Sequence, residues 1–307
     1  MNSTSALPRV AFLGLGHMGG PMAANLVAAG YQVTGFDPVP AAREAAAGNG
    51  VSLANSGVEA ATGADIILTM FPSGQHVLAA YRGDGDDAGL LEVAPAGSFF
   101  LDCSTINVDE ARLAAELATA AGHHALDAPV SGGVVGAEAG TLTFMVGATD
   151  ADFETVRPLL EVMGKRVVHC GGSGLGQAAK VCNNMILGVS MIAVSEAFVL
   201  GEKLGLSNQA LFDVASTASG QCWALTTNCP VPGPVPGSPA NCDYQPGFAG
   251  ALMAKDLGLA LNALTSTGVA AQMGPLAAQI YADFAAGEGA GRDFSGIITE
   301  IRDKSGQ

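Results

Sequence analysis

Short apolar runs alternate with longer stretches of helical period through the first half of the chain: Val10–Leu13, Gln32–Phe36, Ile66–Met70, Phe99–Asp102, His124–Asp127, Thr143–Val146 and Val167–Cys170. A run with apolar side chains at successive positions is suited to burial on both faces, the condition of a central strand in a parallel sheet. Alternation of such runs with helices predicts right-handed βαβ units and a mainly parallel, doubly wound α/β sheet. Past Gly171-Gly172 the pattern changes. A helical stretch free of proline runs from Gly176 to about Lys203 and ends before Gly205, and strand signals largely vanish after it. A second, all-helical domain joined by that long helix is the expectation.

The first apolar run leads into Gly14-Leu15-Gly16-His17-Met18-Gly19, and a second apolar run closes on Phe36-Asp37. Gly14 suits the sharp turn out of the strand, Gly16 leaves room for backbone to approach a pyrophosphate, and Gly19 lets the next helix pack close to the sheet. The pyrophosphate then meets unpaired N–H groups at a helix N-terminus. Asp37 ends the second strand, at the spacing where an acid accepts from the adenosine ribose. Glycine spacings alone are weak in a chain with 42 glycines. Strand, helix and acid in the right order make them a Rossmann-type site for a nicotinamide or flavin cofactor. The expected division is a dinucleotide-binding domain at 1–173 and a helical domain at 174–307 for substrate and dimerisation. An acid at Asp37, followed by Pro38, favours NAD over NADP, and Arg43, the nearby cation, is expected to face solvent from the next helix.

Composition narrows the partners. At 307 residues two domains are the prior, and 49% hydrophobic residues supply a large core. A formal charge of −15 with only 13 Lys and Arg argues against nucleic acid and anionic membranes, since no basic stripe exists to displace counterions. Residues 1–9 carry no targeting pattern. The longest candidate membrane segment, Met185–Val194, has ten residues where a span needs roughly 20, so a cytoplasmic protein is expected. Six cysteines (103, 170, 182, 222, 229, 242) show no Cys-x-x-Cys spacing or His cluster, which predicts no metal site and reduced, mostly buried thiols. No histidine has a Ser or Cys partner at a motif-like spacing, so hydrolase chemistry has little support.

The candidate chemistry lies elsewhere. Lys180 and Asn184, four residues apart, share a face near the start of the long helix, where the two domains are expected to meet. A lysine that loses solvation in a partly closed cleft binds its proton less tightly, which suits exchange with a substrate hydroxyl. Two adjacent Asn in an apolar helix are costly to leave unpaired. Asp127-Ala-Pro-Val-Ser131-Gly132-Gly133 follows a strand, and its backbone N–H groups and serine hydroxyl could form a nest for a small carboxylate or simply a turn. Phe71-Pro72 and Ser104-Thr105 each follow an apolar run, at the sheet edge where ligands bind. Between Ser219 and Phe248 lie six prolines, Trp223 and Tyr244. A segment this long inside a compact domain is either functional or disordered; its aromatic anchors favour order.

Taken together these motifs resemble the β-hydroxyacid dehydrogenases over nearly the whole chain. Residues 12–26 look like that family's cofactor signature, Asp127–Gly133 like its substrate motif, and Lys180 falls on its catalytic lysine with Asn184 one turn further. Gly220–Trp223, Pro230–Pro234, Asp243–Phe248, Leu252–Ala260 and Asp293–Ser295 are similar to the branch acting on 3-hydroxyisobutyrate. The resemblance implies a Rossmann domain joined by a long helix to an all-α domain, assembled as a homodimer or homotetramer. It implies oxidation of (S)-3-hydroxyisobutyrate to methylmalonate semialdehyde with NAD in valine breakdown. Lys180, Asn184 and Ser131 would be catalytic. Ser131, Gly132, Gly133, Lys180, Asn184, Trp223, Phe248 and Asp256 would bind substrate. Gly14, Leu15, Gly16, His17, Met18, Gly19, Asp37, Phe71, Pro72, His76, Thr105 and Lys255 would bind cofactor, with His76 standing where relatives often carry an Asn. The proline-rich segment would cover the substrate pocket. Other readings stay open: a reductase of another small 3-hydroxy acid or semialdehyde, of tartronate or succinic semialdehyde type, or a cofactor-binding protein without catalysis.

Overall fold

In the computed structural model, residues 7–84 and 87–306 are described; the absence of a targeting pattern in residues 1–9 therefore falls largely outside the described residues. The chain divides into two compact units, Met1–Lys180 and Val181–Gln307.

The first unit is built on strands β1 (Arg9–Leu13), β2 (Gln32–Phe36), β3 (Ser52–Leu53), β4 (Ile66–Thr69), a small hairpin of β5 (Gly83–Asp84) and β6 (Asp87–Ala88), β7 (Phe99–Asp102), β8 (His124–Asp127), β9 (Val130–Ser131), β10 (Leu142–Gly147) and β11 (Gly164–Gly171). The main sheet runs β11-β10-β8-β7-β4-β1-β2-β3, with β9 paired to β10. From β3 to β8 every pairing is parallel. That block has the 3-2-1-4-5-6 order of a dinucleotide-binding sheet, whose switch point lies between β1 and β4. The expected doubly wound fold is present. Beyond it, β10 runs antiparallel to β8 and β9, and β11 parallel to β10.

Successive residues of β1 serve opposite cores, as a period of two requires. Val10 and Phe12 join one buried cluster with Leu68, Leu101 and Phe144, while Ala11 and Leu13 join the other with Ile67 and Phe100. An uninterrupted apolar run was thus the correct signature of a strand covered on both sides.

The long helix Leu175–Lys203 begins in the first unit and continues into the second. By length and composition it is apolar enough to cross a membrane, a property missed by counting only Met185–Val194; half of its most apolar stretch is buried inside the fold, as in a core helix. The second unit otherwise contains helices Asn208–Ala215, Trp223–Thr226, Gly250–Thr267, Met273–Ala285 and Ile297–Lys304, and no strand among its described residues. Met191, Met253, Leu257, Tyr281, Phe284 and Ile297 form its core.

The proline-rich segment is ordered by its own packing. Cys229, Val231 and Tyr244 are buried, the Tyr244 hydroxyl donates to the Pro230 carbonyl at 2.8 Å, and Ser238 Oγ donates to Cys229 O at 2.6 Å. Asp293 gathers the ends: its carboxylate accepts from Asn228 Nδ2 at 3.2 Å and from the N–H groups of Gly247 and Phe248 at 3.1 and 3.0 Å. Tyr244 is therefore an anchor. Trp223, expected in that role, is 52% exposed and is not. The cysteines also depart from expectation. All six are free, but only Cys103 and Cys229 are buried, while Cys182 and Cys242 are exposed.

Candidate active site

The glycine turn is built as its spacing requires. Gly14 has φ +94°, and a Cβ there would overlap the Met70 carbonyl oxygen; a Cβ on Gly19 would overlap the Gly14 carbonyl oxygen. Around Gly16 the space is open. The helix Gly19–Ala28 has no side chain capping its N-terminus, where the helix dipole favours an anion, while the Gly20 N–H already donates to the Gly16 carbonyl at 2.9 Å. Leu15 is buried, Gly16 and His17 are exposed, and Met18 is half-buried against the core.

Asp37, at the end of β2, ties this turn to the next strand. Its Oδ2 accepts from the Leu15 N–H and its Oδ1 from the Val39 N–H, both at 2.8 Å. Each oxygen keeps a second lone pair for a ribose hydroxyl. Arg43 departs from the solvent-facing expectation: it donates to the Asp37 carbonyl at 2.7 Å, with its guanidinium 5.7 Å from the Phe36 ring centroid. A hydrogen bond one turn into the next helix, together with the aromatic face, holds it back against the turn.

Further along the same sheet edge, the Phe71 N–H donates to the Ser104 hydroxyl oxygen at 2.7 Å, and that hydroxyl donates to Asp102 Oδ1 at 2.6 Å. Thr69 Oγ1 donates to the same Asp102 oxygen at 2.8 Å. This buried chain fixes the loops after β4 and β7, which carry Phe71, Pro72 and Thr105. His76 is exposed and lies 2.7 Å from Ser73 Oγ, a Ser–His contact that the sequence spacing did not suggest.

Ser131 ends β9, and Gly132 and Gly133 follow with φ +138° and +63°, opening the short helix Gly133–Glu138. Asp127 does not share that turn. Its carboxylate points to the start of the long helix, accepting from the N–H groups of Gly174 at 2.6 Å and Gln177 at 2.8 Å. Burial pushes its carboxyl up to about 6, against the lowering pull of those two N–H groups, and neighbouring Asp102 pushes in the same direction as burial.

On the long helix, Lys180 is 7% exposed and Asn184 2% exposed. In the second unit the Asn184 amide donates to Asp256 Oδ2 at 2.5 Å, and Asn183 Nδ2 donates to Asn184 Oδ1 at 2.9 Å. The helix Gly250–Thr267 supplies both Asp256, which is buried, and half-buried Lys255. Phe248 packs edge-on against Phe294, ring centroids 5.6 Å apart. Sequence reasoning named Asn184 and Asp256 without pairing them, and it missed Asp102, Ser104 and Gln177 as a network. A buried glutamine in an apolar helix was the available signal for Gln177. Among the described residues no group of His, Cys, Asp and Glu is arranged to hold a metal ion.

The family described as the NAD-binding domain of 6-phosphogluconate dehydrogenase matches residues 9–172, and that described as NAD-binding of NADP-dependent 3-hydroxyisobutyrate dehydrogenase matches 174–301. A Mycobacterium tuberculosis protein named probable 3-hydroxyisobutyrate dehydrogenase is 54% identical over 95% of this chain and 97% of its own length. The chain belongs to the 3-hydroxyisobutyrate dehydrogenase family. A solved M. tuberculosis 3-hydroxyisobutyrate dehydrogenase with L-serine superposes with a TM-score of 0.92, covering 96% of this chain and 99% of that one. Also similar, at 45% identity over 97% of this chain and 98% of the relative, is a Pseudomonas aeruginosa protein named NAD-dependent L-serine dehydrogenase. Membership in the 3-hydroxyisobutyrate dehydrogenase family makes this an NAD-binding oxidoreductase with a Rossmann-type nucleotide-binding unit.

Proposed function

We propose that this enzyme oxidises (S)-3-hydroxyisobutyrate to methylmalonate semialdehyde with NAD, in valine breakdown. The observation that carries the reading is the buried Lys180 one helical turn from buried Asn184, whose amide is committed to Asp256. Gly14 to Gly19 and the N-terminus of helix Gly19–Ala28 hold the pyrophosphate, Asp37 the adenosine ribose, and Phe71, Pro72, His76, Thr105 and Lys255 the remainder. NAD supplies a hydride acceptor when bound. Lys180, in its neutral form, takes the substrate hydroxyl proton as the C–H bond of the hydroxymethyl carbon breaks, and it returns that proton in the reverse direction. Asn184 keeps the substrate hydroxyl and the lysine aligned, and Asp256 keeps the Asn184 amide from rotating. Ser131, Gly132 and Gly133 bind the carboxylate. Trp223 and Phe248 limit the substrate's bulk.

A second substrate reading, L-serine, is favoured by the P. aeruginosa relative's name and by the L-serine in the M. tuberculosis structure. L-Serine shares the carboxylate and hydroxymethyl group and carries an amino group in place of the methyl. NADH formation measured across 3-hydroxyisobutyrate, L-serine, glycerate and 4-hydroxybutyrate tests both. The highest kcat/KM is expected with 3-hydroxyisobutyrate; a clear preference for L-serine would replace that substrate assignment, and no turnover with any acid would refute catalysis. We further propose a cytoplasmic homo-oligomer. Ile186 and Leu200 on the long helix and Leu204 in the turn after it are exposed large apolar residues of the kind that association covers. Light scattering after size exclusion measures the assembly.

A further inference from the structure

The turn of helix that carries Lys180 is fastened at two points, both within the nucleotide-binding unit. The first is Asp127, which closes β8 and accepts the Gly174 and Gln177 N–H groups on separate carboxylate oxygens. These amides belong to the start of the long helix, where no preceding turn offers carbonyl partners. The surrounding backbone is shaped for this contact. Gly174 has φ +83°, a Cβ on Gly176 would overlap the Met145 carbonyl oxygen and crowd that of Asp127, and a Cβ on Gly147 would overlap the Asp127 carboxylate. The second point is Gln177. Fully buried, it accepts the Ile106 N–H on Oε1 at 3.2 Å and donates from Nε2 to the Ser104 carbonyl at 2.7 Å. It thereby ties the helix to the segment holding Thr105. Lys180 follows Gln177 by three residues, on the same side of the helix.

We infer that Asp127 and Gln177 are positioning residues for Lys180, setting the depth and rotation of the first helical turn against the loop after β7. The inference rests on Lys180 being the proton-transfer group. An unfastened first turn frays, and a reacting group displaced by about 1 Å can lose on the order of 100-fold in rate.

The test compares K180A, D127N, Q177M and the double variant Q177M/K180A. Asp127→Asn keeps the shape but turns a donor toward one of the two amides; Gln177→Met keeps the length and removes both side-chain hydrogen bonds. For each, kcat and KM with 3-hydroxyisobutyrate, the NADH dissociation constant by fluorescence titration, and the deuterium isotope effect on hydride transfer are measured. Both single positioning variants are expected to lose roughly 10- to 100-fold in kcat. KM and NADH affinity should stay within about two-fold, and the isotope effect should rise as chemistry becomes limiting. In the K180A background Q177M should cost nothing further, because its effect passes through the lysine. Unchanged kcat in Q177M and D127N, or the same loss from Q177M with and without Lys180, overturns the inference. Full activity of K180A would instead overturn the assignment of Lys180, and the inference with it.

Discussion

Asp127 makes stability depend on pH in a direction opposite to that of most carboxylates. Its folded carboxyl is pushed up to about 6 from the ordinary 3.8, chiefly because burial disfavours the charge. Between those values the folded protein holds a proton that the unfolded chain has released. The associated stability is therefore fully present below about pH 4, falls as pH rises, and is gone above about pH 6. A rise of about two pH units at about 1.36 kcal/mol each sets this at up to about 3 kcal/mol. D127N cannot titrate and loses the dependence, while carrying a constant cost from the mismatched amide. Urea unfolding of wild type and D127N at pH 4, 5, 6 and 7 isolates the effect, since other groups titrate alike in both. Far-UV circular dichroism is the suitable probe, because the chain's sole tryptophan, Trp223, lies in the second unit and reports there. The stability of wild type relative to D127N should fall by about 2–3 kcal/mol from pH 4 to pH 7. A flat difference, or one that grows with pH, would refute the argument that burial outweighs the Gly174 and Gln177 hydrogen bonds.

Lys180→Ala should lower kcat roughly 100-fold or more with NAD affinity nearly intact, and Lys180→Arg should restore little, since a guanidinium cannot release its proton near neutral pH; near-normal turnover of the arginine variant would reduce the lysine to an electrostatic anchor. Asp37→Ser should raise NADP efficiency relative to NAD, because it removes the repelling carboxylate and leaves Arg43 held at the same turn; steady-state kinetics with both cofactors decides, and an unchanged ratio would show that Asp37 does not read the ribose. Ser131→Ala should raise KM by the equivalent of about 1 kcal/mol for one hydrogen bond, and loss of NAD binding instead would move Ser131 to the cofactor. A double-mutant cycle of Asn184→Ala and Asp256→Ala should give a coupling of about 1.5–3 kcal/mol in urea unfolding, the range for a hydrogen bond to a charged group; coupling near zero would mean that the 2.5 Å contact contributes nothing.

Periodicity along the chain was enough to place the strands of the parallel block, except the short exposed β3, and the helix Leu175–Lys203, because burial on two faces and a proline-free helical stretch leave local patterns. The turn at Gly14–Gly19 was legible for the same reason: its strand, its glycines and its helix are adjacent in sequence. Lys180 and Asn184 could be put on one face by counting residues. Their surroundings could not be read that way. Asp127 reaches Gln177 across 50 residues, Gln177 reaches Ser104 across 73, and Asn184 reaches Asp256 across 72. Arg43 was assigned to solvent because its helix position allows it, while the carbonyl of Asp37 and the ring of Phe36 that hold it come together only at the end of β2. Trp223 and Tyr244 were both read as anchors from their chemistry, yet only Tyr244 is buried as one, since the left-handed backbone at Asp243 and Tyr244 and the carboxylate of Asp293 set which side chain faces inward. Local pattern fixes which segments become strand, turn and helix; which buried donor meets which acceptor is decided when those segments are brought together, because a hydrogen bond depends on ångström-scale placement that no linear spacing encodes.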